Sequence, residues 1–167
     1  MRLRLRRFSL TKAVPLAISR GSSSGVEHLL LELEHGGICG LGETGGFDTG
    51  HRRYASDAIA AELEALSEQL QALDSPLRLL GSSGESLLRD LSPPARCGLD
   101  LALHDWWGKR LGLPLHQLWR LDINACVATS VTLGLGSVEA VLARLERWWR
   151  QLPASRIKLK LGSPDGL

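Results

Sequence analysis

The pattern of this chain predicts an α+β domain followed by the opening of an α/β domain. Residues 2–14, 26–34 and 38–42 read as strands, the first two with a two-residue alternation, whereas residues from about 56 to 110 repeat at helical spacing. After Cys126 a strand, a helix and a second strand follow one another. A return of about twenty residues between two strands is a βαβ unit, which forms a parallel pair.

Each element has a local reason. In residues 2–14, Leu3 and Leu5 alternate with Arg2, Arg4 and Arg6, as on a first strand with one solvated face. Residues 15–25 are rich in Gly and Ser and read as a loop, and 26–34 resume alternation with Val26, Leu29, Leu31 and Leu33. Gly36-Gly37 turns the chain into a third strand at Ile38–Gly42, completing a three-stranded antiparallel meander, and a glycine-rich loop follows over 43–53. Ala58, Leu63, Leu66, Leu70 and Leu73 mark an amphipathic helix ended by Asp74-Ser75-Pro76. A shorter helix runs from about Gly84 to Leu91. A third opens at Ser92-Pro93-Pro94, a cap residue before prolines suited to a first turn, and Gly112 and Pro114 close it. Residues 126–134, rich in Val and Thr, read as a buried strand. Ser137 caps a helix through about Gln151, carrying Val138, Val141, Leu142, Leu145 and Trp148, and residues 156–161 form the last strand.

Composition narrows the function classes. The chain has 167 residues, 44% hydrophobic and 23% charged, enough for one core or a domain and part of another. A net charge of +2 is too small to imply a nucleic-acid partner. Cys39, Cys97 and Cys126 are odd in number and widely spaced, without a zinc-like pairing, so reduced thiols and a cytoplasmic protein are expected. The five histidines show no ligand spacing. No segment approaches the roughly 20 apolar residues of a membrane span, and no membrane partner is expected.

The segment Ile157-Lys158-Leu159-Lys160-Leu161-Gly162 carries the most chemistry. Alternation puts Ile157, Leu159 and Leu161 on one side and Lys158 with Lys160 on the other. On an exposed sheet the lysines would simply meet water. In a parallel barrel the apolar side faces the surrounding helices and the lysines face the mouth of the site. Two ammonium groups held close disfavour each other's charge, which moves a lysine toward general-base work. Other motifs weigh less. Gly40-x-Gly42-x-x-Gly45 matches a dinucleotide fingerprint, but no helix begins at its end, where a pyrophosphate would sit. In Trp106-Trp107 and in Trp148-Trp149, adjacent helical residues point different ways, so one of each pair is expected in the core. His104-Asp105 are helix neighbours that do not face each other.

Five segments in register carry a resemblance. They are Pro15–Ser22, Gly40-Leu41-Gly42-Glu43, Ala102–Lys109 with Gly112-Leu113-Pro114-Leu115, Thr129–Gly134, and Ile157–Gly162. In that order and spacing the chain resembles the enolase superfamily, in particular its muconate-lactonizing subgroup and, within it, the dipeptide epimerases. The resemblance implies an N-terminal capping domain at 1–122 followed by the start of a (β/α) TIM-like barrel at 123–167. Two cap loops, here about 15–25 and 43–53, would set specificity. It implies an isomerase that removes the proton alpha to a carboxylate and stabilises the enediolate on Mg2+. Carried over residue by residue, Lys160 is the acid/base on one face, and Lys158 lowers its pKa and helps neutralise the substrate carboxylate. Thr132 matches a substrate-contacting position, and Arg20 in the first cap loop is a partner for a carboxylate. The partner is a small-molecule substrate, a dipeptide or another carboxylate, and a homo-oligomer is compatible with the family.

The chain also departs from that pattern. About 45 residues follow Asp122, against a typical barrel of roughly 250. The strands on which the family places its Asp and Glu metal ligands, and the lysine of the opposite face, are not among them, so no metal ligand is assigned. Asp165 reads as a helix cap. The expectation is therefore an epimerase by descent that is inactive alone. Its alternatives are a muconate cycloisomerase, an o-succinylbenzoate synthase, or a non-catalytic association module. Open strand edges and an uncovered apolar face at Ile157, Leu159 and Leu161 are expected to accompany the partial barrel.

Overall fold

The computed structural model describes residues 1–19 and 21–162. Strands β1 (Arg2–Ile18), β2 (Gly21–His35) and β3 (Ile38–Gly45) form one sheet in that order. Consecutive strands joined by two residues can pair only antiparallel, and β2 and β3 do so from His28↔Gly45 to His35↔Ile38. The meander is as expected, but its strands are longer. Residues 15–25 are mostly strand, because β1 and β2 continue to within two residues of each other instead of ending in a loop. The stretch 43–53 is likewise more ordered than a loop: β4 (Phe47–Asp48) pairs with β5 (Arg53–Tyr54). Its turn is tied by Asp48 Oδ1 accepting from Gly50 N–H at 2.6 Å and Thr49 Oγ1 accepting from Arg52 N–H at 2.9 Å.

Two units emerge, one gathering Met1–Leu10 with Val26–Asp122, the other Thr11–Gly25 with the residues from Ile123 onward. In the first, alternation on β2 buries Leu29, Leu31 and Leu33 completely. Helix α1 (Ser56–Gln71) adds Ile59, Ala60, Leu63, Leu66 and Leu70 to the same core. After α1, Ser75 accepts from Leu77 N–H at 3.3 Å and starts a 3-10 turn over Pro76–Leu80, which the sequence reading passes over. The short helix α2 spans Ser82–Leu88.

Helix α3 (Pro93–Leu111) lies on β3. Gly40, Gly42 and Thr44 are the buried positions of that strand. A Cβ at Gly42 would fall 2.1 Å from Gly98 O, and one at Gly40 would fall 2.1 Å from Ala102 O. Gly40 and Gly42 of the apparent dinucleotide fingerprint thus serve helix–strand packing, while a Cβ at Gly45 would meet His28 on the neighbouring strand. Polar contacts complete the seam: Thr44 Oγ1 donates to Pro94 O at 2.7 Å, Leu41 N–H to Asp105 Oδ2 at 2.7 Å, and Trp106 Nε1 to His35 O at 3.0 Å. Ser92 stands at the helix start, yet its hydroxyl caps nothing and is buried without a partner. The prolines that follow have no N–H to offer, and Ser92 N–H instead meets Glu62 Oε2 at 2.8 Å. Gly112, at φ 66°, ends α3 in the left-handed conformation, with Leu113 N–H returning to Gly108 O at 2.9 Å. A short helix α4 (Leu115–Leu118) follows. Trp106 is core and Trp107 half-buried, and His104 packs edge-on to Trp119 with ring centroids 5.3 Å apart.

In the second unit, β6 (Ser130–Leu133) and β7 (Arg156–Leu159) pair in parallel through helix α5 (Val138–Gln151). Ser137 caps α5 by accepting from Ala140 N–H at 3.3 Å. The βαβ unit is as expected, but β6 is shorter than 126–134, because it has a partner only opposite the four residues of β7. Trp148 and Trp149 are 37% and 51% exposed, so neither enters a core; α5 meets β6 over only part of its surface. Ile157, Leu159 and Leu161 are exposed, as expected.

Two outcomes test this geometry. Gly42→Ala should lower stability by about 3 kcal/mol, since α3 must retreat from backbone atoms, read as a reduced urea midpoint. Gly81→Ala, whose Cβ would meet only Arg78 O at 3.8 Å, should change the midpoint little; equal losses in both would contradict the seam. With Cys39, Cys97 and Cys126 replaced by Ser, Thr132→Cys with Lys158→Cys should form an intramolecular disulfide under mild oxidation. Thr132→Cys with Ile157→Cys should not, because alternation sends those side chains to opposite faces.

Candidate functional site

The register of β6 and β7 brings the expected residues together. Thr132 is the direct cross-strand neighbour of Lys158, and Val131 of Ile157. Side chains on one face of a sheet recur every two residues. Thr132, Lys158 and Lys160 therefore line one side, with Val131 and Leu133, both buried, on the other. Lys160 lies just past the last residue of β7, yet its N–H still donates to Leu133 O at 3.0 Å. That bond holds the second lysine at the C-terminal end of the parallel pair, where βα folds gather functional side chains. Lys158 is exposed and Lys160 half-buried. Arg20, the fourth expected residue, lies outside the described residues, as does Asp165.

The same unit supplies residues that the sequence reading missed. A cavity of about 480 Å³ opens beside β6, lined by Thr132 with Lys12, Val14, Arg144, Arg147 and Trp148 among others. Lys12 Nζ donates to Ser23 Oγ at 2.7 Å across the β1–β2 pair. Arg144 donates to Pro15 O at 2.9 Å, and Leu135 N–H to Ala17 O at 3.0 Å. The first expected cap loop is thus a strand end anchored next to the βα turn that follows β6. No sequence signal marked Arg144, which sits among other charges on the polar face of an amphipathic helix.

A divalent cation such as Mg2+ takes oxygen ligands, with carboxylates foremost. Among the described residues no group of three or more His, Cys, Asp or Glu gathers. Around the lysines the polar neighbour is a threonine hydroxyl, so the donor set described does not fit the ion. What this site offers is two amines and a hydroxyl on one face, suited to binding an anion and exchanging a proton.

Comparison with known proteins places the chain. Residues 3–119 match the family described as mandelate racemase / muconate lactonizing enzyme, N-terminal domain. A hydrophobic dipeptide epimerase of Roseobacter litoralis is 33% identical over 158 residues, covering 95% of this chain and 44% of the relative. An L-Ala-D/L-amino acid epimerase of Maribacter is 27% identical over 167 residues, covering 99% of this chain and 47% of the relative. Among solved structures, a dipeptide epimerase from Enterococcus faecalis, complexed with Mg and L-Leu-L-Tyr, superposes with a TM-score of 0.81 at 22% identity. The match covers 97% of this chain and 45% of that one. A muconate lactonizing enzyme from Pseudomonas fluorescens gives a TM-score of 0.82 at 21% identity, over 98% of this chain and 45% of that one. At these identities the structures speak for the fold, a three-stranded capping domain with the beginning of a barrel. The chain spans under half the length of these relatives. With the family matched over most of its residues and epimerases among its relatives, the chain belongs to the mandelate racemase / muconate lactonizing enzyme family.

Proposed function

We propose that this chain carries one half of a dipeptide epimerase site, with Lys160 as the acid/base that acts on one face of the substrate. The observation that carries the reading is the parallel register, in which Thr132 and Lys158 are direct neighbours and Lys160 is tied by its backbone to the end of β6. A dipeptide alpha carbon next to a carboxylate loses its proton only if the resulting charge is held. Lys158, as an ammonium, sits where it can pair with the carboxylate, and the Thr132 hydroxyl can donate to the same group. Lys160 is placed to take the proton from one face. Returning a proton to the other face inverts the centre, and that second group lies outside the described residues. The named relatives that act on dipeptides favour this substrate class over a muconate or a succinylbenzoate precursor.

The reading expects exchange of the alpha proton of L-Ala-L-Glu in deuterated water with magnesium to stay at background for this chain alone. Joining residues 1–162 to the remaining half of a related dipeptide epimerase should restore exchange. Lys160→Ala should then reduce it by about 10²–10⁴-fold, the usual contribution of a general acid or base. Exchange that survives Lys160→Ala would overturn the assignment. Exchange by the unjoined chain would mean that a metal site arises by association between copies.

A further inference from the structure

Two hydrogen bonds meet at the short turn Leu133-Gly134-Leu135 that follows β6, and a third passes beside it. Leu133 O accepts from Lys160 N–H at 3.0 Å, and Leu135 N–H donates to Ala17 O at 3.0 Å. The third comes from a side chain: Arg144, on α5, donates from Nη2 to Pro15 O at 2.9 Å. Gly134 leaves the space this needs. A Cβ there would fall 2.8 Å from Arg144 Nη1 and 2.9 Å from Ala17 O. The lysine strand and the end of β1 are thus fixed to opposite ends of one three-residue turn.

We infer that Arg144 is a positioning residue, a latch that holds the Pro15–Ala17 end of β1 against this turn and so sets its place relative to Lys160. The inference deepens the epimerase reading and, for its relevance to substrate, rests on it. The physical case stands on chemistry shown here. Pro15 lies within β1 and has no N–H to donate, and its carbonyl is met by a guanidinium. Hydrogen bonds to charged groups are stronger than neutral ones. A planar fork can place one nitrogen on Pro15 O while the other lies in the space above Gly134. A lysine could replace the bond but not fill that space. An alanine would leave the carbonyl and the turn without either.

Site-resolved amide hydrogen exchange on the 167-residue chain tests this without turnover. In Arg144→Ala, Leu135 N–H should exchange about tenfold faster or more, as expected for losing a charge-assisted bond. Amides Leu145–Trp149 of α5 should keep their rates. Arg144→Lys should restore part of the protection at Leu135. Gly134→Ala should open Leu135 in the same way, and the double variant should lose little more than either single one. Unchanged exchange at Leu135 in Arg144→Ala would overturn the latch. So would equal acceleration along α5, because Arg144 would then only stabilise its helix. The Lys160→Ala exchange experiment can fail while this one succeeds, which separates the two readings.

Discussion

Helix α3 can lie against β3 only where side chains are missing, and Gly40, Gly42 and Gly98 leave those gaps. With backbone in contact with backbone, Thr44, Leu41 and Trp106 reach polar partners across the seam without burying an unpaired group. β3 is an edge of the sheet, and edges invite pairing with other chains. Asp105 takes the outward Leu41 N–H, and Lys109 Nζ donates to Cys39 O at 3.0 Å, so α3 both covers the core and satisfies the edge. Deep burial of Leu29, Leu31 and Leu33 follows, since their face of the sheet is closed by α1 and α3.

The second unit obeys a different constraint. A two-residue period means that one register decides which side every residue of β6 and β7 takes. The pairing of Thr132 with Lys158 puts polar groups on one side and Val131, Leu133, Ile157 and Leu159 on the other. Val131 and Leu133 are buried on the apolar side, whereas Lys158 is exposed. The lysines are left to the side where a barrel keeps its chemistry.

Much of this was legible in the residues, for identifiable reasons. Alternation on β2 and the run Ile157–Leu161 carry strong two-residue periods. Ser137 is a cap with a free donor three residues on, and it behaves as one. Ser92 has the same side chain and, in Ala95, a donor three residues on, yet its hydroxyl is left unused while its N–H meets Glu62. Residues 15–25 misled because Gly and Ser mark turns by composition, whereas here they lie in a long strand pair held by Lys12 on Ser23 and by Arg144 on Pro15. Those contacts link positions far apart in sequence, and no local pattern announces them. The Thr132–Lys158–Lys160 face was readable because alternation and a βαβ return are enough to assemble it. Arg144 was not, because a charge on a polar helix face looks the same whether or not it has a partner.

The exposed apolar residues of the second unit bear on how the lysines are held. Ile157, Leu159 and Leu161 are 43%, 51% and 67% exposed. Fully burying such a side chain is worth roughly 1.5–3 kcal/mol, so β7 forgoes much of the stabilisation that normally fixes a parallel strand. Four paired residues alone are a weak hold. Burial of Val131 and Leu133 and the bonds at the turn add to that hold: Lys160 to Leu133, Leu135 to Ala17, and Arg144 to Pro15. The contacts that place Lys160 thus also help to hold β7. Loosening the end of β1 would then disturb the lysine directly, without any change on β7 itself.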